Sequence, residues 1–253
     1  MLSRELWIRY QSFDHLQSIY GLSPENWLSD NERRESERYH DAGRYRQWQA
    51  GRWLAKQLLH EQLVPWSTNR RDIEILSRNA QGQAIRPIVR VNQKVQPWCV
   101  SISHSRRGVL VGVSLDPAIN VGVDLAEKED LNSQSLVFWF SARERERLRE
   151  GNGRHSAVCW AVKEAIYKAI NTGESFVPRK FEVFPCATGG YECHHEGKTL
   201  NERSHITVWD VDDHVAVTAM VSSTSAPLKN VPHLGGRLER LAPSREAILA
   251  GIS

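Results

Sequence analysis

Hydrophobic positions recur along the chain with two different periods. A period of about 3.6 residues, typical of helices, marks three segments: 32–63, 136–150 and 156–171. Alternating or β-branched runs predict strands in three others: 98–115, 119–125 and 180–221. Pro65 ends the first helical segment, and a polar turn surrounds Gly82. This mixture of helical and strand segments predicts the α+β fold class.

The order of these segments is similar in the two halves of the chain. In each half a helix precedes a set of strands, although no residue-level similarity between the halves is evident. The order predicts a pseudo-repeat of two similar α+β subdomains, spanning 1–116 and 117–222. The remaining residues, 223–253, are richer in Pro, Gly and Ser and are predicted to form a tail.

The composition indicates a globular protein in a reducing compartment. The chain has 253 residues, of which 40% are hydrophobic, and this is enough for a sizeable core. No run approaches the roughly 18 to 20 apolar residues of a membrane span, and the N-terminal stretch lacks the apolar region of a signal peptide. The cysteines form no Cys-x-x-Cys pair. We therefore expect free thiols, no membrane contact and a cytoplasmic location.

Arginine dominates the basic residues, with 25 Arg among the 33 Lys and Arg. The arginines concentrate in 31–58 and 143–149, which favours an anionic ligand or an acidic protein as partner. A solvated helix face of mixed charge is the alternative for 143–149. Nucleic acid is not expected, because the net charge is only +3 and no recognised nucleic-acid module is present.

Two cysteines and two histidines lie close together between residues 186 and 195. By residue type, the possible zinc ligands are Cys186, Cys193, His194 and His195. Their spacing matches no established zinc pattern. We therefore do not predict a zinc site in this segment.

The segment VCWAVKEAIYKAIN, residues 158–171, carries two stripes at helical spacing. One stripe is apolar, and the other contains Trp160, Glu164 and Lys168. Such spacing of an acid and a base on a helix most often reflects a surface ion pair, here between Glu164 and Lys168. Such a pair contributes only about 0.3–0.5 kcal/mol.

A second acidic residue makes a phosphate site the stronger interpretation. Asp124 lies on the strand face opposite the apolar residues, together with Gly122, which would let a phosphate or metal approach the backbone. Mg²⁺ in phosphoryl chemistry is usually held by one or two carboxylates, substrate oxygens and water. Asp124 and Glu164 are therefore candidate metal ligands, and Lys168 would face the same phosphate.

Six motifs occur in the order found in one known family. They are RYRQWQAGRWL at 44–54, RNAQGQ at 78–83, SISHS at 101–105, VGVDLAE at 121–127, FSARERERL at 140–148 and WAVKEAIYKA at 160–169. Through these motifs the chain resembles the 4'-phosphopantetheinyl transferases of the Sfp type, in the holo-[acyl-carrier-protein] synthase superfamily. The resemblance covers about residues 32–221.

The resemblance implies a magnesium-dependent transferase that uses coenzyme A as substrate. Such an enzyme moves the 4'-phosphopantetheine arm to a serine hydroxyl of an acidic acyl or peptidyl carrier protein and releases 3',5'-ADP. The family fold implies two similar α+β halves related by a pseudo-two-fold axis, with the coenzyme A site in the cleft between them. Because both halves are fused in one chain, we expect a monomer.

The resemblance also implies roles for individual residues of the second half. Asp124 and Glu164 match the family's magnesium ligands, and Lys168 matches the lysine that contacts the pyrophosphate. Glu144 matches the acidic residue that can serve as the base toward the carrier serine. Lys163 matches the lysine before the motif glutamate. Because neighbouring helix residues point about 100° apart, we expect Lys163 to contact coenzyme A at the edge of the cleft.

Further matches in the first half imply contacts with coenzyme A. His104 matches the histidine that contacts the 3'-phosphate, and Ser103 could add a hydrogen bond. Arg52 and Arg78 occupy motif arginines, and Arg46 lies where the family has basic residues for the 3'-phosphate. The same region, where the register slips by one residue, also contains Arg34, Arg38 and Arg44. Solvated helix arginines are the alternative there.

Two departures from the family pattern leave a second hypothesis open. Ala126 stands where many members have the glutamate of Asp-x-Glu, and Glu127 would replace it only if the strand bulged. The turn after Gly82 lacks the usual Lys-Pro. The second hypothesis is therefore a catalytically degenerate module of the same fold, which binds coenzyme A or a carrier protein without turnover.

Overall fold

A computed structural model of the chain describes residues 6–16, 23–62, 68–128, 133–149, 153–170, 173–186, 190–224, 228 and 239–240. The chain divides into two compact units: unit 1 is Met1–Leu115 with Leu234–Ser253, and unit 2 is Asp116–His233. Both units mix helices and strands, so the predicted α+β class is confirmed. None of the helices in the described ranges has the length and apolar character that crossing a bilayer requires.

Unit 1 packs its helices against a sheet whose strand order is not the order along the chain. The described helices are α1 (Asp30–Ser36) and α2 (Ala42–Gln62). The strands are β1 (Leu6–Ser12), β2 (Ile73–Arg78), β3 (Ala84–Val91), β4 (Lys94–Val95), β5 (Cys99–His104), β6 (Gly108–Ser114) and β13 (Glu239–Arg240). They form a sheet of order β13-β1-β6-β5 and a sheet of order β2-β3-β4. Leu54 and Leu58 of α2 share a core with Val109 and Val111 of β6.

The sequence pattern missed strand β1. Its residues LWIRYQS place Arg9 and Gln11 between apolar positions, yet both polar side chains are buried because β1 lies between β6 and β13. Arg9 is neutralised by an ion pair to Glu61 of α2, at 2.8 Å. Strand β13 also lies within the segment predicted as a tail, most of which is outside the described residues.

The single helix predicted over 32–63 is wrong, because residues 37–41 separate α1 from α2. Ser29 caps α1 through a capping box with Glu32. The Asp41 side chain accepts a hydrogen bond from the Arg44 backbone N–H at 2.8 Å and so supports the start of α2. The break lets α1 fold back, and Trp48 of α2 donates to the Glu35 carboxylate at 3.2 Å.

Unit 2 repeats this combination of helices and antiparallel strands. Its described helices are α3 (Ser133–Trp139), α4 (Ala142–Arg149) and α5 (Gly153–Ile170). The strands are β7 (Ile119–Glu127), β8 (Phe181–Pro185), β9 (Tyr191–His195), β10 (Lys198–Thr199), β11 (Ser204–Val211) and β12 (His214–Ser222). They form sheets of order β11-β12-β7 and β10-β9-β8. Helix α5 packs on β7 and β12.

The helix predicted over 136–150 is also two helices, separated at Phe140 and Ser141. Ser141 caps α4: its backbone N–H donates to Glu144 Oε2 at 2.8 Å, and its hydroxyl accepts from the Glu144 N–H at 3.3 Å. Phe140 is buried in the core of unit 2. In both units, therefore, a new helix start interrupts what the hydrophobic period alone presents as one helix: Asp41 caps α2 in unit 1, and Ser141 caps α4 in unit 2.

A residue-level repeat, which the sequence analysis did not find, relates the two units. The pattern Trp-x-Ser-x-x-Glu occurs at 27–32 and at 139–144, and Trp-x-x-Lys occurs at 53–56 and at 160–163. In unit 1 the rings of Trp27 and Trp53 lie 5.3 Å apart, and in unit 2 those of Trp139 and Trp160 lie 4.2 Å apart. The same short motifs thus make the same helix contacts twice.

Gly122 of β7 allows helix α5 to approach the strand. A Cβ atom at this position would overlap the Ala165 carbonyl oxygen and lie 2.6 Å from the Ala169 backbone nitrogen. The sequence interpretation assigned the missing side chain to the approach of a phosphate or metal. That interpretation is wrong, because the space beside Gly122 is filled by the backbone of α5.

Replacement of Gly122 by alanine should destabilise unit 2. Helix backbone atoms cannot move aside as a flexible side chain can, so we expect Gly122→Ala to lower the free energy of unfolding by about 3 kcal/mol. Gly43→Ala is the matched control, because its added Cβ meets only the Asp41 carboxylate oxygen, at 3.2 Å. Urea unfolding followed by circular dichroism measures both. An unchanged midpoint for Gly122→Ala would contradict the close packing.

Candidate functional site

The candidate site lies where strand β7 faces helix α5. Asp124 is buried on β7, opposite Val217 of β12, and is two residues beyond Gly122 on the same strand face. Glu164 and Lys168 come from α5 and are both half-buried. The close approach at Gly122 therefore brings side chains of the helix within reach of the strand carboxylate.

Lys168 joins the two carboxylates. Its Nζ donates to Asp124 Oδ1 at 2.7 Å and to the Val123 carbonyl at 3.1 Å, and it lies 3.4 Å from Glu164 Oε2. The pair that sequence spacing alone presents as a surface ion pair is thus part of a three-residue cluster with a buried aspartate. The sequence analysis had grouped these three residues, and the structure brings them together.

The electrostatics of the cluster follow from two acids sharing one ammonium group. Burial, followed by the neighbouring Asp124 carboxylate, raises the pKa of Glu164 to about 7, against the opposing effect of Lys168. For Lys168, burial acts to lower the pKa, but the carboxylates of Asp124 and Glu164 outweigh it and the pKa is raised. Lys168 therefore stays charged at neutral pH, while Glu164 changes its charge near neutrality.

The donor set fits a magnesium ion that shares its ligands with a substrate. Two carboxylates, on Asp124 and Glu164, face each other, and this is the number that Mg²⁺ commonly takes from a protein when phosphate oxygens and water complete its shell. Ala126 supplies no third ligand. Glu127 does not replace it, because β7 pairs with β12 without a register shift and Glu127 stays on the opposite strand face. Within the described ranges, no three potential metal-ligating acids, histidines or cysteines cluster together.

Glu144 and Lys163, predicted as a base and as a coenzyme A contact, lie inside unit 2. Both side chains are fully buried, and Lys163 Nζ donates to Glu144 Oε2 at 2.7 Å. Burial lowers the pKa of Lys163, while the Glu144 carboxylate opposes that shift. The placement favours a structural role over the exposed positions that the resemblance implies, and the predicted roles stay predictions.

Arg52 is also buried, in unit 1. Its guanidinium donates to Glu35 Oε1 at 2.8 Å and to Ser77 Oγ at 2.5 Å, and it stacks over the Trp48 ring. These contacts tie α2 to α1 and β2. The predicted contact of Arg52 with coenzyme A would require it to leave this network, so the structure favours a structural role.

The other predicted coenzyme A contacts of unit 1 are more accessible. Arg46 is exposed on α2, and His104 is exposed at the end of β5, next to the buried Ser103. Arg78 donates to the Gly82 carbonyl at 2.8 Å and so closes its own turn. Of the wider basic region, the exposed residues are Arg34, Arg38 and Arg44.

The cysteine and histidine segment is divided among different environments. Cys193 is buried, whereas Cys186 is exposed. His194 lies 2.8 Å from the Glu192 carboxylate, and the ring of His195 stacks on Phe181 at 4.5 Å. These contacts use the side chains for packing and hydrogen bonding within the β8–β9 hairpin.

One surface feature of unit 2 was not predicted. Val137, Phe138 and Val177 form an exposed apolar group, with Phe138 70% exposed. The guanidinium of Arg179 binds the carbonyls of Val137 and Phe138, which holds this group together. Exposed arginines of α4 follow it in the chain, among them Arg143, Arg147 and Arg149. We call the apolar group and these arginines the α3–α4 patch. The only sequence signal for it was the arginine density.

Residues 120–219 match the model of the 4'-phosphopantetheinyl transferase superfamily. The matched segment lies in unit 2 and contains Asp124, Glu164 and Lys168. It also contains the capping serine and the buried Glu144–Lys163 pair. The match supports the family resemblance at the level of the superfamily, and the Sfp subtype stays a prediction. No curated protein matches the chain.

Solved acyl-carrier-protein synthases have partial similarity to the chain. An ACPS–CoA complex from Chronobacterium ammoniagenes has 22% identity over 41% of this chain and 96% of its own, with a TM-score of 0.33. Holo-[acyl-carrier-protein] synthase from Neisseria meningitidis has 18% identity over 41% of this chain and 97% of its own, with a TM-score of 0.35. Acyl carrier protein synthase from Mycobacterium tuberculosis has 26% identity over 41% of this chain and 96% of its own, with a TM-score of 0.32. At TM-scores this low, the structural similarity carries no information about the function of this chain.

The raised pKa of Glu164 predicts a pH-dependent effect of Glu164→Gln on stability without metal. The folded pKa of about 7 exceeds the ordinary value of 4.5, so the folded chain binds more protons between these values and loses stability as pH rises through them. The stability of Glu164→Gln relative to the unmodified chain should therefore increase by up to about 3 kcal/mol between about pH 4 and pH 8.

Urea unfolding in the presence of a chelator measures this difference. Glu146→Gln is the control, because Glu146 is exposed on α4. Its stability relative to the unmodified chain should change little with pH. If the stability difference between Glu164→Gln and the unmodified chain did not change with pH, the raised pKa of Glu164 beside Asp124 would be contradicted.

Proposed function

We propose that the protein transfers the 4'-phosphopantetheine arm of coenzyme A to a serine hydroxyl of an acyl or peptidyl carrier protein and releases 3',5'-ADP. The observation that carries this proposal is the cluster of Asp124, Lys168 and Glu164 within the segment that matches the transferase superfamily. The cluster combines two oxygen donors for a divalent cation with a cation suited to a pyrophosphate.

Magnesium is part of the proposal, with Asp124 and Glu164 as its protein ligands. When bound, Mg²⁺ would neutralise charge on the pyrophosphate of coenzyme A. Lys168 stays protonated beside the two acids and would donate a charge-assisted hydrogen bond to the same pyrophosphate. In the transfer, the serine hydroxyl gives up its proton to water, its oxygen bonds to the β-phosphorus, the bond from that phosphorus to the bridging oxygen breaks, and 3',5'-ADP leaves with that oxygen. Lys168 stabilises the negative charge on this leaving group.

An acidic carrier protein is the partner that suits the α3–α4 patch. The exposed ring of Phe138 and the side chains of Val137 and Val177 offer an apolar centre. Arg145 of α4 donates to the Val137 carbonyl at 3.4 Å and so places positive charge next to this apolar centre. Arg143 and Arg147 add exposed charge on the same helix. An apolar centre beside basic residues is suited to an acidic partner that also presents apolar side chains, since complementary charge speeds and orients docking.

The coenzyme A contacts of unit 1 are part of the same proposal. Arg46 and His104 are exposed and would meet the 3'-phosphate, with Ser103 and Arg78 as further partners implied by the family motifs. Arg52 is the weakest of these candidates because it is already bound to Glu35 and Ser77. The cytoplasmic location and the monomeric state stay predictions.

The direct test is modification of a carrier protein. The chain is incubated with coenzyme A, Mg²⁺ and a panel of apo carrier proteins from fatty acid, polyketide, nonribosomal peptide and lysine pathways. Transfer should add roughly 340 Da to at least one carrier, as expected for a phosphopantetheine arm attached through a phosphodiester. A chelator should abolish the gain. Lys168→Ala should lower the rate by about 100-fold to 1,000-fold, whereas Lys198→Ala, at an exposed position on β10, should not.

The same assay separates transfer from binding without turnover. A degenerate module would bind coenzyme A or a carrier in calorimetry, yet no 3',5'-ADP would form. That result, or the absence of a mass gain on every carrier, would reject the proposed activity. The missing third acid at Ala126 and the missing Lys-Pro after Gly82 are the features that favour the binding module.

The α3–α4 patch predicts a selective effect on carrier binding. Phe138→Ala should raise the KM for the carrier about tenfold and leave the KM for coenzyme A unchanged, because an exposed aromatic residue at the centre of a docking surface contributes about 1–2 kcal/mol. Val95→Ala, at an exposed apolar position of unit 1, is the control. Equal effects of the two substitutions on carrier KM would contradict docking at the patch.

A further inference from the structure

The buried Glu144–Lys163 pair connects four segments of unit 2. Lys163 Nζ donates to Glu144 Oε2 at 2.7 Å, to the Trp139 carbonyl at 2.9 Å and to the Pro178 carbonyl at 3.3 Å. The other carboxylate oxygen of Glu144 accepts from the Val183 backbone N–H at 2.9 Å. The pair thus joins the end of α3, the start of α4, the start of β8 and the middle of α5.

Unit 1 contains the same network. Lys56 Nζ donates to Glu32 Oε2 at 2.5 Å, to the Trp27 carbonyl at 2.7 Å and to the Arg70 carbonyl at 3.1 Å. Glu32 Oε1 accepts from the Ile75 backbone N–H at 3.0 Å. Lys56 is buried on α2, as Lys163 is on α5. Each glutamate also closes a capping box with the serine three residues before it.

The residues around the network differ between the units. In unit 2 the residues one and five positions after the lysine are Glu164 and Lys168, and in unit 1 they are Gln57 and Glu61. The strand partner of Glu61 is Arg9, so the charges of the strand–helix pair are reversed. Unit 1 therefore keeps the buried glutamate–lysine pair without the carboxylate cluster beside it.

We propose that Glu144 and Lys163 are positioning residues for Glu164 and Lys168, and that Glu144 does not take the proton of the carrier serine. Both Glu144 oxygens are used by backbone and ammonium donors, and the carboxylate is buried. The same use of the residue in unit 1, where the cluster is absent, identifies the network as part of the fold. This inference rests on the proposed transfer activity and deepens it.

The positioning acts through the rotation of α5 about its axis. Lys163 directly precedes Glu164, and neighbouring helix residues differ in direction by about 100°. Fixing Lys163 toward α3 and β8 therefore fixes the direction in which Glu164 and Lys168 leave the helix. Gly122 sets how close the helix lies to β7, and the buried pair sets its rotation.

The test compares matched substitutions in the two units. Glu144→Gln and Lys163→Met are made singly and together, and Glu32→Gln and Lys56→Met are made in the same three combinations. Each single substitution leaves a buried group without its partner, whereas the double substitution removes both charges. In each unit the loss of melting temperature in the double variant should be smaller than the sum of the single losses. Additive losses in unit 2 would overturn the proposal.

Transfer kinetics, measured well below every melting temperature, separate positioning from stability and from proton transfer. Glu144→Gln should lower kcat at least tenfold, whereas Glu32→Gln, with a similar loss of melting temperature, should leave kcat unchanged. The double variant Glu144→Gln, Lys163→Met should recover at least a third of the unmodified kcat, because two uncharged side chains of similar size keep α5 in place, whereas one unpaired buried charge displaces it. A folded double variant that stays as slow as Glu144→Gln would identify Glu144 as the base and overturn the proposal, as would equal losses in the two units.

The two proposals fail in distinguishable ways. If the unmodified chain transfers nothing to any carrier, the proposed activity is rejected while the melting temperatures still show whether each pair acts as a unit. If the unmodified chain transfers the arm but the double variant does not, the activity stands and the positioning role is rejected.

Discussion

The contact between the backbone of α5 and strand β7 at Gly122 is the constraint on which the site of unit 2 depends. A side chain at that position would overlap the Ala165 carbonyl. Without the contact, Lys168 could not reach both the Asp124 carboxylate at 2.7 Å and the Val123 carbonyl at 3.1 Å. The glycine beside the acid therefore serves packing directly and chemistry indirectly, because the packing distance decides which helix side chains meet the strand.

The sequence predicted the grouping of the three site residues better than the boundaries of the elements around them. Asp124, Glu164 and Lys168 could be grouped because period 2 on the strand and period 3.6 on the helix each place them on one face. The helix breaks before α2 and α4 were missed because hydrophobic periodicity carries no information about capping. Both capping residues were present in the sequence: Ser141 bonds Glu144 three residues later, and Asp41 accepts from the Arg44 backbone N–H.

Three residues with predicted site roles lie in buried ion pairs, and they share one physical feature. Arg52, Glu144 and Lys163 are charged, and sequence reasoning places charged residues at surfaces or in sites. Each is instead buried with a partner from a different segment of the chain, which spacing along one element cannot show. For Glu144 and Lys163 the partner was identifiable by comparing the halves: Trp-x-Ser-x-x-Glu and Trp-x-x-Lys each occur twice, and a pair that is repeated in both halves belongs to the fold.

The two units also show what the fold leaves free. In each unit an ion pair joins a strand to the helix that packs on it. In unit 1, Arg9 of β1 pairs with Glu61 of α2, and in unit 2, Asp124 of β7 pairs with Lys168 of α5. The fold accepts either polarity, because a buried charge is tolerated where an opposite charge and hydrogen bonds satisfy it. In unit 2 this polarity leaves a carboxylate on the strand, and a second carboxylate, Glu164, follows the buried lysine. The corresponding positions of unit 1 carry Arg9, Gln57 and Glu61, so they offer one carboxylate, which is already paired with an arginine.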